Sequence, residues 1–174
     1  MYGFNNTYGL AIRKEIAEKY DIKTYSDLSA IASQLTFGAE YDFFEREDGY
    51  DALCKTYNYQ FKATMDMDIG LKYQAINQGQ VDVMTIFTTD GQLSNNQIVV
   101  LEDDQHFYPS YMCGNVVRSD ILKKHPELKK VLKKLSYKIN DLQMAKMNDF
   151  VESKGKEPKE VAKSYLKKLK LLKE

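Results

Sequence analysis

The side chains best suited to holding a small ligand fall in four short stretches: "NNTY" at 5–8, "DFFERED" at 42–48, "FTTDGQ" at 87–92 and "HFYPSY" at 106–111. Asn5, Asn6 and Thr7 are short hydrogen-bonding side chains in a row, and Tyr8 follows them. The chain has 13 Tyr and 8 Phe but no Trp. The informative rings are those in loops: Tyr8, Tyr108, Tyr111 and Phe87. A cluster of ring faces can box a quaternary ammonium ion, which has no proton to donate. It is held by ring quadrupoles at about 0.5–1 kcal/mol per exposed contact and about 2 kcal/mol when desolvated. Arg46 offers a planar fork for a carboxylate at the other end of such a ligand. Loop aromatics that only pack against one another satisfy the same pattern.

Catalytic patterns are missing. The sequence has no G-x-S-x-G, P-loop, H-E-x-x-H or G-x-G-x-x-G. His106 stands near Asp103 and Asp104, with no serine or cysteine placed to partner it, and reads as a surface histidine. The carboxylates of "EREDGYD" and "MDMD" lack the spacing of a calcium loop. His106 and His125 lack ligand-like spacing, so zinc is not expected. Cys54 and Cys113 form no C-x-x-C and are expected as buried free thiols.

The elements that must position these stretches follow from periodicity. Helical spacing predicts a helix over "GLAIRKEIAEKYDI" and a second over "TYSDLSAIASQL", capped by Thr24 or Ser26. "LTFGAEYDFF" reads as a short strand entering the loop "EREDG", followed by a short helix at "YDALCKTYN". "FKATMDMD" is a strand. "DIGLKYQAINQG" is a helix with Asp68 as N-cap and Gly79 as C-cap. "VDVMTIFTTD", "NQIVVLED" and the shorter "GNVVRSD" are strands. Beyond them the pattern is helical. Ser119 or Asp120 caps "ILKKH", Pro126 opens "ELKKVLKKLSYKI", Asn140 caps "DLQMAKMNDFVES", Gly155 breaks the chain, and "EPKEVAKSYLKKLKLLK" closes it. The alternation predicts an α/β fold: a mixed, mostly parallel sheet flanked by helices, with a helical C-terminal segment. Ligands in such sheets sit beyond the carboxyl ends of the strands, where the four ring-bearing stretches fall.

Length and composition suit one well-buried domain, or a domain with an attached helical segment. Of 174 residues, 43% are hydrophobic and 29% charged. No apolar run is long enough for a membrane span, and the first residues lack the pattern of a signal peptide. The formal net charge of zero hides an asymmetry: residues 1–107 carry 17 acidic and 8 basic side chains, residues 108–174 carry 8 and 17. "LKKVLKKL" and "YLKKLKLL" place their apolar residues on one helical face, so the lysines read as solvated faces rather than a nucleic-acid surface.

Read together, "GFNNTYGLAIR", "TYSDLS", "GAEYDFFEREDGYDAL", "DIGLKYQAINQGQVDV", "TTDGQL", "DDQHFYPSY", "VVR" and "KGKEPKEVAKSYL" resemble the glycine betaine/carnitine/choline-type substrate-binding proteins of ABC importers. The likeness runs over essentially the whole chain. It implies a type II periplasmic-binding-protein-like fold, with two α/β lobes joined by a hinge and closing on the ligand. It also implies no catalysis, no cofactor and no metal. Tyr8 and Tyr111 would be walls of an aromatic box, Asn6 a polar ligand contact, and Arg46 the partner of a ligand carboxylate. The last wall falls at Phe87, where many members have tyrosine. Phenylalanine keeps the π face and loses the hydroxyl, which admits ergothioneine, a betaine with an imidazole-thione body, as an alternative ligand. By the same likeness residues 1–107 are the second lobe and 108–174 return to a first lobe whose leading segment precedes "GFNNTY" in the family. The resemblance further implies an extracytoplasmic protein, a lipoprotein or a permease fusion, that delivers its ligand to a membrane permease. Two more expectations follow. The helical tail packs back on the second lobe or exchanges with a second copy in a homodimer, and the chain alone binds ligand weakly or not at all.

Overall fold

In the computed structural model, which describes residues 1–95 and 97–172, the first apolar run is divided between two elements. Strand β1 covers Tyr8–Arg13 and helix α1 covers Lys14–Tyr20. The run had read as one helix. Three consecutive side chains, Leu10, Ala11 and Ile12, are each fully buried, as a strand covered on both faces requires. Asn96, the expected start of one strand, and Lys173, the expected end of the last helix, lie outside the described residues.

The chain divides into two units. One comprises Tyr8–Phe87 and Ser94–Pro109, the other Met1–Thr7, Thr88–Leu93 and Ser110–Glu174. The first is a five-stranded mixed sheet. Besides β1 it contains β2 (Thr36–Glu40), β3 (Ala63–Met67), β4 (Val83–Phe87) and β5 (Ile98–Val100), in the order β3-β2-β4-β1-β5. β2 runs parallel to β3 and β4, while β1 runs antiparallel to β4 and β5. Helices α2 (Tyr25–Leu28), α3 (Tyr41–Glu45), α4 (Tyr50–Tyr57) and α5 (Lys72–Asn77) complete the unit with α1. The second expected helix is cut short. Thr24 forms a capping box with Asp27, yet only α2 and a 3-10 turn at Ala32–Gln34 form. Asp68 caps no helix. Its carboxylate accepts from the Gly70 amide two residues on, and α5 starts later, at Lys72. Gly79 has φ +70, as a residue closing a helix in the left-handed region does.

The sheet unit has a ring-rich core. Phe37, fully buried, meets Phe43, Phe44, Tyr50 and Phe61 at centroid distances of 4.9–6.2 Å. Tyr25, Tyr57 and Tyr59 pack beside one another, and the Tyr59 hydroxyl donates to the Tyr25 carbonyl at 2.7 Å. Cys54 and Cys113 are free thiols, but each is half-buried rather than buried. Burial raises the Cys54 thiol above its ordinary value.

The other unit is helical: α6 (Ser119–Lys124), α7 (Glu127–Lys133), α8 (Asp141–Glu152) and α9 (Pro158–Lys168). Asn140 and Gln143 form the capping box of α8, and Gly155 sits at φ +63. The expected strand at 114–120 does not form. One bridge, Asn5 with Met112, precedes it, and Val116 is wholly exposed. A strand exists only through its partner, and this β-branched pair finds none.

Candidate functional site

The sheet register creates the first half of the site. Because β1 runs against β4, Tyr8, the first residue of β1, lies opposite Phe87, the last residue of β4. Both therefore stand where the parallel strands β2, β3 and β4 end. Directly opposed cross-strand side chains touch, and the two ring centroids are 4.7 Å apart. Tyr8 also meets Phe43 at 5.2 Å and Tyr108 at 5.8 Å. Burial, then the nearby Glu40 carboxylate, raises the Tyr8 phenol above its usual value. Tyr8 and Phe87 line a shallow recess whose other walls include Glu40, Asp42, Asp66 and Asp68. Aromatic faces and carboxylates thus line one recess, and one of the carboxylates, Glu40, already has a cation.

Arg46 follows α3 and is 40% exposed. Its guanidinium lies over the Tyr8 ring, 5.6 Å from the centroid, and is held by two bonds to Asp48 at 2.7 and 2.8 Å. The fork is thus oriented by an anion of its own loop, which a ligand carboxylate would meet as a competitor.

Beneath the recess is a group that the sequence reading missed. The Lys72 ammonium is 1% exposed, bonds Glu40 Oε1 at 2.5 Å, and lies 5.0 Å from the Phe87 centroid. Glu40 Oε2 accepts from the Thr85 hydroxyl at 2.7 Å. This buried ion pair fixes the end of β2 and backs the Phe87 ring. The available signal was a lysine one turn before Ile76, on the apolar face of "LKYQAI". Asp103 was another. Rather than partnering His106, its carboxylate accepts from the Tyr57 hydroxyl and from the Phe107 and Tyr108 amides at 3.0 Å. It shapes the loop that carries Tyr108. The Tyr108 hydroxyl is buried with no hydrogen-bond partner among the described residues.

Asn6 and Tyr111 belong to the helical unit, apart from Tyr8, Arg46 and Phe87. The Asn6 Oδ1 accepts from the Thr89 hydroxyl at 2.6 Å. The Asn6 amide donates to the Tyr111 carbonyl at 3.2 Å. Asn5 ties the same loop: its Oδ1 accepts from the Tyr111 amide at 2.5 Å, and its own amide donates to Asp141 at 2.7 Å. Tyr111 itself is 41% exposed. Asn5, Asn6 and Tyr111 are therefore brought together within one unit, and Tyr8, Phe87 and Arg46 within the other.

Residues 1–168 match the family described as the substrate-binding domain of ABC-type glycine betaine transport systems. The chain belongs to that family. It is a family of transport binding domains rather than enzymes. The chain is 47% identical over 169 residues to the ergothioneine transport permease/ergothioneine binding protein of Helicobacter pylori (strain G27), covering 97% of this chain and 31% of that protein. It is 41% identical over 168 residues to the carnitine transport binding protein of Listeria monocytogenes, covering 96% and 54%. A solved structure titled as a glycine betaine/carnitine/choline ABC transporter superposes with a TM-score of 0.87 at 39% identity, over 98% of this chain and 62% of that one. The chain thus spans about a third to about half the length of the curated relatives it matches. Among the described residues no helix is long and apolar enough to cross a membrane.

Proposed function

We propose that this binding-domain chain takes a small zwitterion with a trimethylammonium group, of the glycine betaine and carnitine kind, for delivery to the permease of an ABC importer outside the cytoplasmic membrane. The observation that carries the reading is the Tyr8–Phe87 ring pair at the strand ends, with the Arg46 guanidinium poised over Tyr8. The rings supply π faces to the cation. Arg46 exchanges Asp48 for the ligand carboxylate. Asn6 and Tyr111 are proposed as further ligand contacts. In this reading the sheet unit is the second lobe, and the segments at 1–7, 88–93 and 110–174 belong with the first lobe of the longer relatives.

Ergothioneine is a second reading. The resemblance implies tyrosine where this chain has Phe87, and the Helicobacter pylori relative named for ergothioneine is 47% identical. A thermal-shift screen of glycine betaine, carnitine, choline and ergothioneine tests both readings. Ligand bound only to the folded state stabilises it by RT ln(1 + [L]/Kd), about 1.4 kcal/mol at ten times Kd, so even a millimolar site registers. Stabilisation by the trimethylammonium zwitterions is the expected result, with ergothioneine foremost under the second reading. A flat response to all four, from this chain and from a longer one spanning the full length of its relatives, contradicts both; a flat response from this chain alone meets the expectation of weak or absent binding.

A further inference from the structure

Two adjacent threonines in "FTTDGQ" do different work within the helical unit. Thr88 serves the backbone: its hydroxyl donates to the Asn5 carbonyl at 2.6 Å and accepts from the Thr7 amide at 3.2 Å. Thr89 serves a side chain. Its hydroxyl donates to Asn6 Oδ1 at 2.6 Å, and the residue is only 5% exposed. The main chain at Thr89 has no latitude. Its carbonyl accepts from Asn148 Nδ2 at 2.7 Å, and at Gly91 an added Cβ would stand 2.5 Å from the Asp149 nitrogen. The segment 88–93 therefore lies hard against α8.

A buried hydroxyl placed so firmly dictates the orientation of the amide it meets. A carboxamide has an acceptor end and a donor end. With Oδ1 taken by Thr89, the Nδ2 end, with two N–H groups, is the one left to face outward from the exposed Asn6. Turned the other way, Nδ2 would donate to the Thr89 hydroxyl, whose own proton would then need a second buried acceptor.

We propose that Thr89 is a positioning residue that sets specificity: it holds Asn6 as a donor, so the ligand group that Asn6 meets is an anionic acceptor, a carboxylate. This rests on the ligand reading above and deepens it. Donation to a charged acceptor is worth more than donation to a neutral one, so the device favours a betaine over choline, which ends in a hydroxyl.

The test is an NMR titration of the full chain, nitrogen-15 labelled, with glycine betaine and with choline. Thr89→Val removes the hydroxyl at nearly constant shape, and Thr89→Ser keeps it. The expected result for Thr89→Val is a rise in the glycine betaine Kd of about tenfold with choline changed by less than about twofold, while Thr89→Ser stays near the original protein. In an Asn6→Ala background Thr89→Val has no further effect, because it acts through Asn6. Equal weakening of both ligands, or an undiminished effect without Asn6, overturns the proposal. Where this chain binds neither ligand, the same variants are titrated in a chain spanning its relatives' full length; no binding there ends the ligand reading, and the specificity claim with it. The hold on Asn6 is read separately from the Asn6 side-chain amide signals. Thr89→Val shifts them, because the bond to Oδ1 that orients and polarises the carboxamide is lost; signals left in place overturn the assignment.

Discussion

The sheet unit and the helical unit treat their apolar side chains in opposite ways. Nearly all of the buried apolar residues belong to the sheet unit; among the described residues the helical unit contributes only Phe4 and Val161. Its helices instead leave Val131, Leu142 and Phe150 between 37% and 63% exposed. A sheet buries its faces through residues distant in sequence, so five strands and five helices close one core. The helical unit has the stripes of amphipathic helices without a sheet under them. Stability therefore resides in the sheet unit, and the helical unit supplies positioned loops: "NNT", "TTDG" and the segment around Tyr111.

The comparison is open to direct attack. Phe37→Ala removes a ring at the centre of the core and is expected to cost about 3–5 kcal/mol in urea unfolding. Val161→Ala, the same kind of truncation in the helical unit, is expected to cost about 1–2 kcal/mol. Equal costs would break the comparison. Lys72→Met strips the part-buried Glu40 carboxylate of its cation and is expected to cost about 2–3 kcal/mol. A stable Lys72→Met protein would mean that Glu40 finds solvent or another partner.

What the sequence disclosed depended on whether the signal was local. The Thr24 and Asn140 caps are legible because a cap and its target lie three residues apart. β1 was misread because Leu10, Ala11, Ile16 and Ala17 fit a helical period, and only pairing with β4 and β5 makes "YGLAIR" a strand. "GNVVRSD" failed for the converse reason, a strand-forming pair with no neighbour to pair with. In the candidate site the ring types and the arginine were visible. The Lys72–Glu40 pair spans 32 residues, and the Thr89–Asn6 bond 83. Neither has a local signature.

Smaller effects sharpen the contrast. Asn140→Ala removes the cap of α8 and is expected to cost about 1 kcal/mol, read as faster hydrogen exchange in the first turn of α8 with β1 unchanged. The pH dependence differs in sign between the units. In the helical unit Glu152 is exposed, yet partial desolvation by its neighbours, then Asp90, raises its carboxyl above the ordinary value. Its folded form binds the proton more tightly, so stability is lost as pH rises from the ordinary value through the raised one. Glu152→Gln is expected to raise the Tm at pH 7, with the gap closing near pH 4. In the sheet unit the Thr24 amide, then the Lys23 amide, lowers the Asp27 carboxyl. That contribution is present above the ordinary value and lost as pH falls through the depressed one. Asp27→Asn therefore lowers the Tm at pH 7, and the gap closes in acid. Tm profiles of the two variants that bend the same way would contradict the assignment.

The central claim is that Tyr8 and Phe87 attract the charge of a trimethylammonium group, not merely its shape. Its most direct test compares glycine betaine with 3,3-dimethylbutanoate, which has the same outline with carbon in place of the charged nitrogen. By titration calorimetry, glycine betaine is expected to bind, weakly on this chain alone, and the isostere that lacks the cationic nitrogen but keeps the carboxylate to bind at least about tenfold more weakly, with Tyr8→Leu abolishing the difference. Equal binding of the two would contradict the account.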